Sequence, residues 1–198
     1  METQEKPMNE QESLQLIYQM INSTKQNLKE HAFSFLFWGY LVLTTVILQY
    51  LIVFLGYDPE KSGFVWAILM PLGGIVSGVI GYKKNKNEKV KTHIDTILKY
   101  LGTAFGISMC VLFFVLGKCG YGILIPHLIM MLYGFFLYVT GGLLKFRPLV
   151  LGGVSCWVYS IAACFLPIEF QGILIALAVI TGYIIPGHLL KASKNNND

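Results

Sequence analysis

The sequence predicts an all-α polytopic membrane protein: six transmembrane helices bundled as three hairpins, with an N-terminal cytoplasmic amphipathic helix. Three observations predict it. Hydrophobic residues make up 55% of the 198 positions and charged residues only 13%, against roughly 45–50% and about 25% in an ordinary soluble domain. Mean hydropathy is +0.59. Six apolar stretches also have the length that a bilayer core demands, roughly 20 residues with a range of about 17–25. These features exclude a disordered chain, a collagen-like chain and an ordinary soluble domain. They divide the chain into a cytoplasmic segment (1–31), a transmembrane domain (32–190) and a polar cytoplasmic tail (191–198).

Residues 1 to about 8 read as disordered. Asn9 can cap a helix, with Glu12 closing a capping box. From there Leu14, Ile17, Ile21 and Leu28, with Thr24 between the last two, recur at alternating spacings of three and four. That is one apolar stripe, or a short a/d seam. Three readings stay open: the helix lies on the membrane, docks on the protein's own cytoplasmic face, or pairs with another chain, which includes a second copy.

The first span runs from 32 to about 55. A signal peptide has a basic start and an apolar stretch of about 7–15 residues. Here a mostly polar segment precedes a stretch of spanning length, so the N-terminus is expected to be retained. The other spans are 63–82, 100–116, 122–144, 149–167 and 170–190. None has an acidic or basic residue in its interior. Short links force consecutive helices into antiparallel neighbours; only 83–99 is longer.

Orientation follows from the basic residues in short loops. Thirteen of the fifteen lie on the side of the termini; only Lys61 and Lys118 lie on the other. Both termini are therefore expected in the cytoplasm, and the net charge of +4 is a topology signal rather than a sign of nucleic-acid binding. Five lysines fall within 83–91. They read first as a stop-transfer signal and second as a contact for anionic headgroups, worth around 1 kcal/mol per basic residue.

Cys119 and Cys164 fall at the outer ends of the third and fifth spans. A disulfide between them is conceivable in an oxidising periplasm; small apolar packing is the blander reading of all four cysteines. No CxxC occurs. His127 and His188 sit at opposite ends of their spans and cannot share a metal. No cofactor or metal is called for. Span interiors offer hydroxyls, Gln49 and tyrosines but no ionisable pair, which argues against an enzyme and against a proton-coupled transporter.

Eleven of the twenty glycines fall in the inner halves of their spans. This predicts tight packing on the cytoplasmic side and an outward crevice lined by aromatics, with Trp66 and His127 near its mouth and Trp157 deeper. Gly74–Gly78 and Gly102–Gly106 form GxxxG pairs. Pro71 and Pro186 interrupt spans two and six, while Pro126 and Pro148 read as helix-start residues.

The stretch LYGFFLYVTGGLLKFRPLVLGGVSCW, followed by LAVITGYIIPGHLLK, resembles a group of small six-span membrane proteins of the Bacteroidota. The likeness covers roughly 132–191 and is looser over FWGYLVL at 37–43. It implies a six-span fold in a bacterial inner membrane, and no activity or catalytic residue. The expected function is a non-enzymatic membrane sensor or partner subunit acting through the N-terminal stripe and the 83–91 loop. The alternative is a transporter or binder of a small neutral or lipidic molecule through the outer crevice. The expected surroundings are lipid and a protein partner or second copy.

Overall fold

The computed structural model describes residues 10–57, 62–87 and 93–192, with side chains given for 32–57, 62–83 and 94–192. The proposed Asn9 cap, residues 88–91 of the lysine loop and the last six residues lie outside the described residues. So do the side chains of the Leu14–Leu28 stripe.

The described chain is helical and no strand occurs in it. Helix α1 runs Glu10–Phe54, α2 Phe64–Asn87, α3 His93–Cys119, α4 Ile125–Leu143, α5 Arg147–Ala163, α6 Ile168–Val179 and α7 Ile185–Ala192. A 3-10 turn, Gly122–Leu124, precedes α4, and a π-turn, Ile180–Ile184, joins α6 to α7. Five apolar stretches are long enough to cross a membrane: Ala32–Phe54, Phe64–Lys83, Ile94–Lys118, Gly122–Leu143 and Ile168–Ala192. Helix α5 has 17 residues, the lower end of the spanning range. It starts and stops earlier than its apolar stretch. Pro148 sits in the first turn, where its missing N–H costs nothing. At the other end the chain turns at Cys164, and Pro167, extended at ψ 151°, begins the next helix.

Helix α1 is one rod of 45 residues, about 68 Å long at 1.5 Å per residue. The stripe segment and the first apolar span are thus one helix. Leu14, Ile21 and Leu28 fall at seven-residue steps in the same series as Phe35 and Val42, which are buried in the bundle.

Three helices end alike. After α1, Tyr57 N–H bonds Ile52 O at 3.3 Å and Gly56 N–H bonds Val53 O at 3.0 Å, with Gly56 left-handed at φ 87°. After α3, Gly120 takes the same role at φ 77°, with Tyr121 N–H on Leu116 O at 2.9 Å. These are Schellman closures, which satisfy the last carbonyls and favour glycine. After α4 the left-handed residue is Lys145, φ 52°, with Phe146 N–H on Gly141 O at 2.9 Å.

The centre of the fold is α5, held between α4 and the α6–α7 rod, with α1 laid along that rod. Consecutive helices are neighbours, but the closest pair is α4–α5, which cuts across the expected division into hairpins. Glycine makes this possible. A Cβ on Gly153 would stand 2.8 Å from Gly134 O and from Tyr138 N. One on Gly152 would stand 2.8 Å from Gly182 Cα, 3.1 Å from Thr181 O and 3.3 Å from Gly182 O. Backbone touches backbone on both sides of α5. Pro186 has no N–H to offer the turn before it, and Gly152, having no side chain, lets α5 approach Thr181 O and Gly182 O there.

Gly39, Gly141 and Gly187 are also in close contact. Gly78, Gly81, Gly102, Gly106 and Gly142 face nothing within 4 Å. So neither GxxxG pair brings helices together here. Both lie on α2 and α3, the peripheral helices: α2 packs on α1, and α3 on α4. Most of the glycines that pack belong to the central helices; on α2, Gly73 meets Leu41 of α1. Rings extend the core sideways. Phe35 of α1 meets Tyr183 at 5.9 Å, Tyr183 meets Tyr133 of α4 at 5.4 Å, and Tyr133 meets Phe105 of α3 at 5.7 Å.

Two expectations follow for thermal unfolding of the protein in lipid nanodiscs. Gly152→Ala and Gly153→Ala each lose about 1–3 kcal/mol through overpacking, while Gly106→Ala, in open space, is neutral or slightly stabilising. Lys145→Gly gains roughly 1 kcal/mol by removing a left-handed non-glycine residue.

Candidate functional site

The bundle has two ends: a proximal one, where the stripe segment of α1 emerges, and a distal one, which carries the α5–α6 turn. Polar side chains gather at the distal end and join the helices there. Gln49 of α1 accepts from Trp66 Nε1 of α2 at 2.7 Å and donates through Nε2 to Ser62 at 3.4 Å. Ser62 is 1% exposed. Tyr50, the next residue, donates its hydroxyl to Glu169 O in the first turn of α6, and its ring fills the space that a side chain at Gly172 would need. Ser160 of α5 donates to His127 O of α4 at 2.9 Å. Inside a bilayer such bonds have no water to replace them, so they fix which helix faces which.

Two buried atoms in this group have no partner: Gln171 Oε1 and His127 Nδ1. A third, Thr140 Oγ1, lies nearer the proximal end of α4. Gln171 is 5% exposed. An unsatisfied buried polar atom costs about 1–3 kcal/mol and calls for an explanation.

Deeper in the bundle, hydroxyls decorate the π-turn. Thr181 donates to Leu177 O at 2.9 Å and lies 3.1 Å from Ser155 Oγ, which is within 2.8 Å of Gly152 O. Cys156 Sγ points at Ala178 O, 3.7 Å away. At the proximal end Tyr40 and His188 share a hydrogen bond of 2.9 Å.

The three residues expected to line one crevice are engaged separately. Trp66 sits between α2 and α1. Trp157 lies over Gly134 between α5 and α4, with Nε1 on Met131 O at 3.1 Å and Tyr138 beside it at 5.4 Å. His127 is in the first turn of α4. No hydrogen bond or ring contact among the described residues joins them. Cys119 and Cys164 are free thiols here. Cys164 Sγ faces back to Ser160 O at 3.7 Å, and Cys119 ends α3, which packs on α4. No cluster of three His, Cys, Asp or Glu side chains suited to a metal occurs among the described residues.

Gln171 escaped the sequence reading because it falls two residues from Glu169 at the start of a span and so reads as interfacial. Its signal was its position, one polar amide at the head of an otherwise apolar run, GILIALAVI. Gln49 was visible as a span-interior amide, but its partners were not.

A double-mutant cycle on Gln49→Leu and Trp66→Phe measures how firmly α2 is tied to α1. The expected coupling in nanodisc unfolding is about 0.6 kcal/mol and at most ~1.7 kcal/mol, as for other intramembrane hydrogen bonds.

Comparison with family models, with characterised proteins and with solved structures finds no match for the chain. Any reading of function therefore rests on its own geometry.

Proposed function

We propose that the protein is a non-enzymatic, six-span membrane protein that works as a sensor or as the partner subunit of another protein. Its spans are the five long apolar segments and the 17-residue α5. Its place is a bacterial inner membrane, with both termini in the cytoplasm, as the bias of thirteen basic residues to two supports.

One observation carries this reading: the unbroken α1. A bilayer core of about 30 Å takes roughly 20 of its 45 residues. The remainder holds the stripe Leu14, Ile17, Ile21 and Leu28. Within the bundle α1 meets α2, α6, the π-turn and α7. One rigid element therefore joins an apolar interaction stripe outside the bilayer to the helices inside it. The stripe has the spacing of a helix-in-groove or coiled-coil contact.

A second reading is supported by the unpaired Gln171 and His127 atoms: the protein binds or carries a small neutral or lipidic molecule. The two readings differ in what they require of the stripe. Native mass spectrometry of protein extracted gently from its own membrane separates them. On the first reading, wild type retains a protein partner or a second copy. The variant with Leu14, Ile17, Ile21 and Leu28 all changed to Ser loses it, with an unchanged unfolding midpoint. Retention by that variant removes the stripe from the function.

A further inference from the structure

The helix contacts set a register at the distal end. Between α5 and the α6–α7 rod, Gly152 meets Gly182, Ser155 meets Thr181 and Cys156 meets Ala178. The two elements run antiparallel, so the same register carried outward sets Ala163 against Gln171. Ala163 is 1% exposed. Between α4 and the rod the directions are parallel, and Leu137 meets Gly182. The same offset carried outward brings His127 to the level of Gln171 and Gly172. Ser160 bonds the backbone of His127 at that level. Gln171 and His127 therefore stand at one level of the bundle, at the end where α4, α5 and α6 meet. The methyl of Ala163 is the wall opposite Gln171, and this level lies one turn below the exposed 164–167 corner.

We propose that this region is a binding site for a small uncharged molecule that donates hydrogen bonds through O–H or N–H groups. Gln171 Oε1 accepts one of them. His127 Nδ1 accepts a second when its ring proton is on Nε2. Ala163 keeps the site small, and the bond from Ser160 holds the His127 backbone in place. An anion is disfavoured because both unpaired atoms are acceptors, which offer it no hydrogen. A cation is disfavoured because no carboxylate faces Gln171: Glu169 is two residues away and on the opposite side of the helix. The corner at 164–167 is the way in. This proposal rests on the second reading given above and adds Gln171 as its recognition residue.

The test is native mass spectrometry of protein from its own membrane, followed by equilibrium dialysis of the protein in phosphatidylcholine nanodiscs against labelled glycerol and labelled acetamide. These probes are an O–H and an N–H donor. Wild type is expected to carry a small-molecule mass and to bind at least one probe. Gln171→Met, which keeps volume and removes the acceptor, loses the mass and weakens probe binding about tenfold or more. Gln49→Leu, at the same end but outside the site, binds as wild type does. If Gln171→Met fails to fold, Ala163→Val fills the site from the other wall and is expected to give the same loss.

A mass that Gln171→Met and Ala163→Val both retain overturns the site and leaves the binding reading standing. Absence of any small-molecule mass, with no probe bound, overturns both. A Gln171→Met protein that unfolds at a higher temperature than wild type with no change in bound mass overturns the site alone, because the amide is then merely unsatisfied.

Discussion

Everything in this bundle hangs on backbone meeting backbone at α5. In lipid the hydrophobic effect does not draw helices together, because a helix face is no more apolar than the tails it would leave. Close van der Waals contact has to do the work, and it grows with the number of atoms brought to touching distance. Gly153 against Gly134 and Gly152 against Gly182 bring peptide groups themselves together, on two faces of one short helix about 100° apart. With α5 so placed, α4 and the α6–α7 rod have fixed positions, and α1 follows along the rod. The π-turn belongs to the same contact. Pro186 has no N–H to bond the turn before it, and the glycine face of α5 packs against that turn.

Away from that centre the physics changes. Helices α2 and α3 contribute almost no buried residues and are held by a few side chains: the Trp66–Gln49 bond for α2 and the Phe105–Tyr133 ring contact for α3. Apart from Gly73, which lies against Leu41 of α1, and Gly63 before α2, their glycines have nothing against them. The molecule thus has a rigid interior of four elements and two helices attached by specific but slender ties.

Much of the helix layout was legible because it depends on composition alone. Long apolar runs bounded by lysine and glycine mark helices whatever their neighbours, and Pro126 and Pro148 mark starts for a local steric reason. Which glycines pack was not legible. Gly78 and Gly152 occupy comparable places in comparable runs, and only the tertiary arrangement gives one a partner and leaves the other bare. The same holds for the distal polar group. Gln49 was visible as an amide in a span, but its pairing with Trp66 and Ser62 depends on how two helices are turned about their axes. The separate partners of Trp66, His127 and Trp157 were hidden for the same reason. Trp66, His127 and Trp157 share a depth scale, which sequence supplies, but not an azimuth, which it does not.

The length of α1 has a mechanical consequence. The helix has no proline or glycine between Glu10 and Trp38, so it has no built-in joint where bending would dissipate motion. Such a rod transmits torque. A rotation imposed on the rod at Trp38 reappears at Leu14, about 36 Å away along the axis, as the same angle. A twist of a few tens of degrees there would swing the stripe to face a different direction beyond the bundle, with no change in any helix's length or depth.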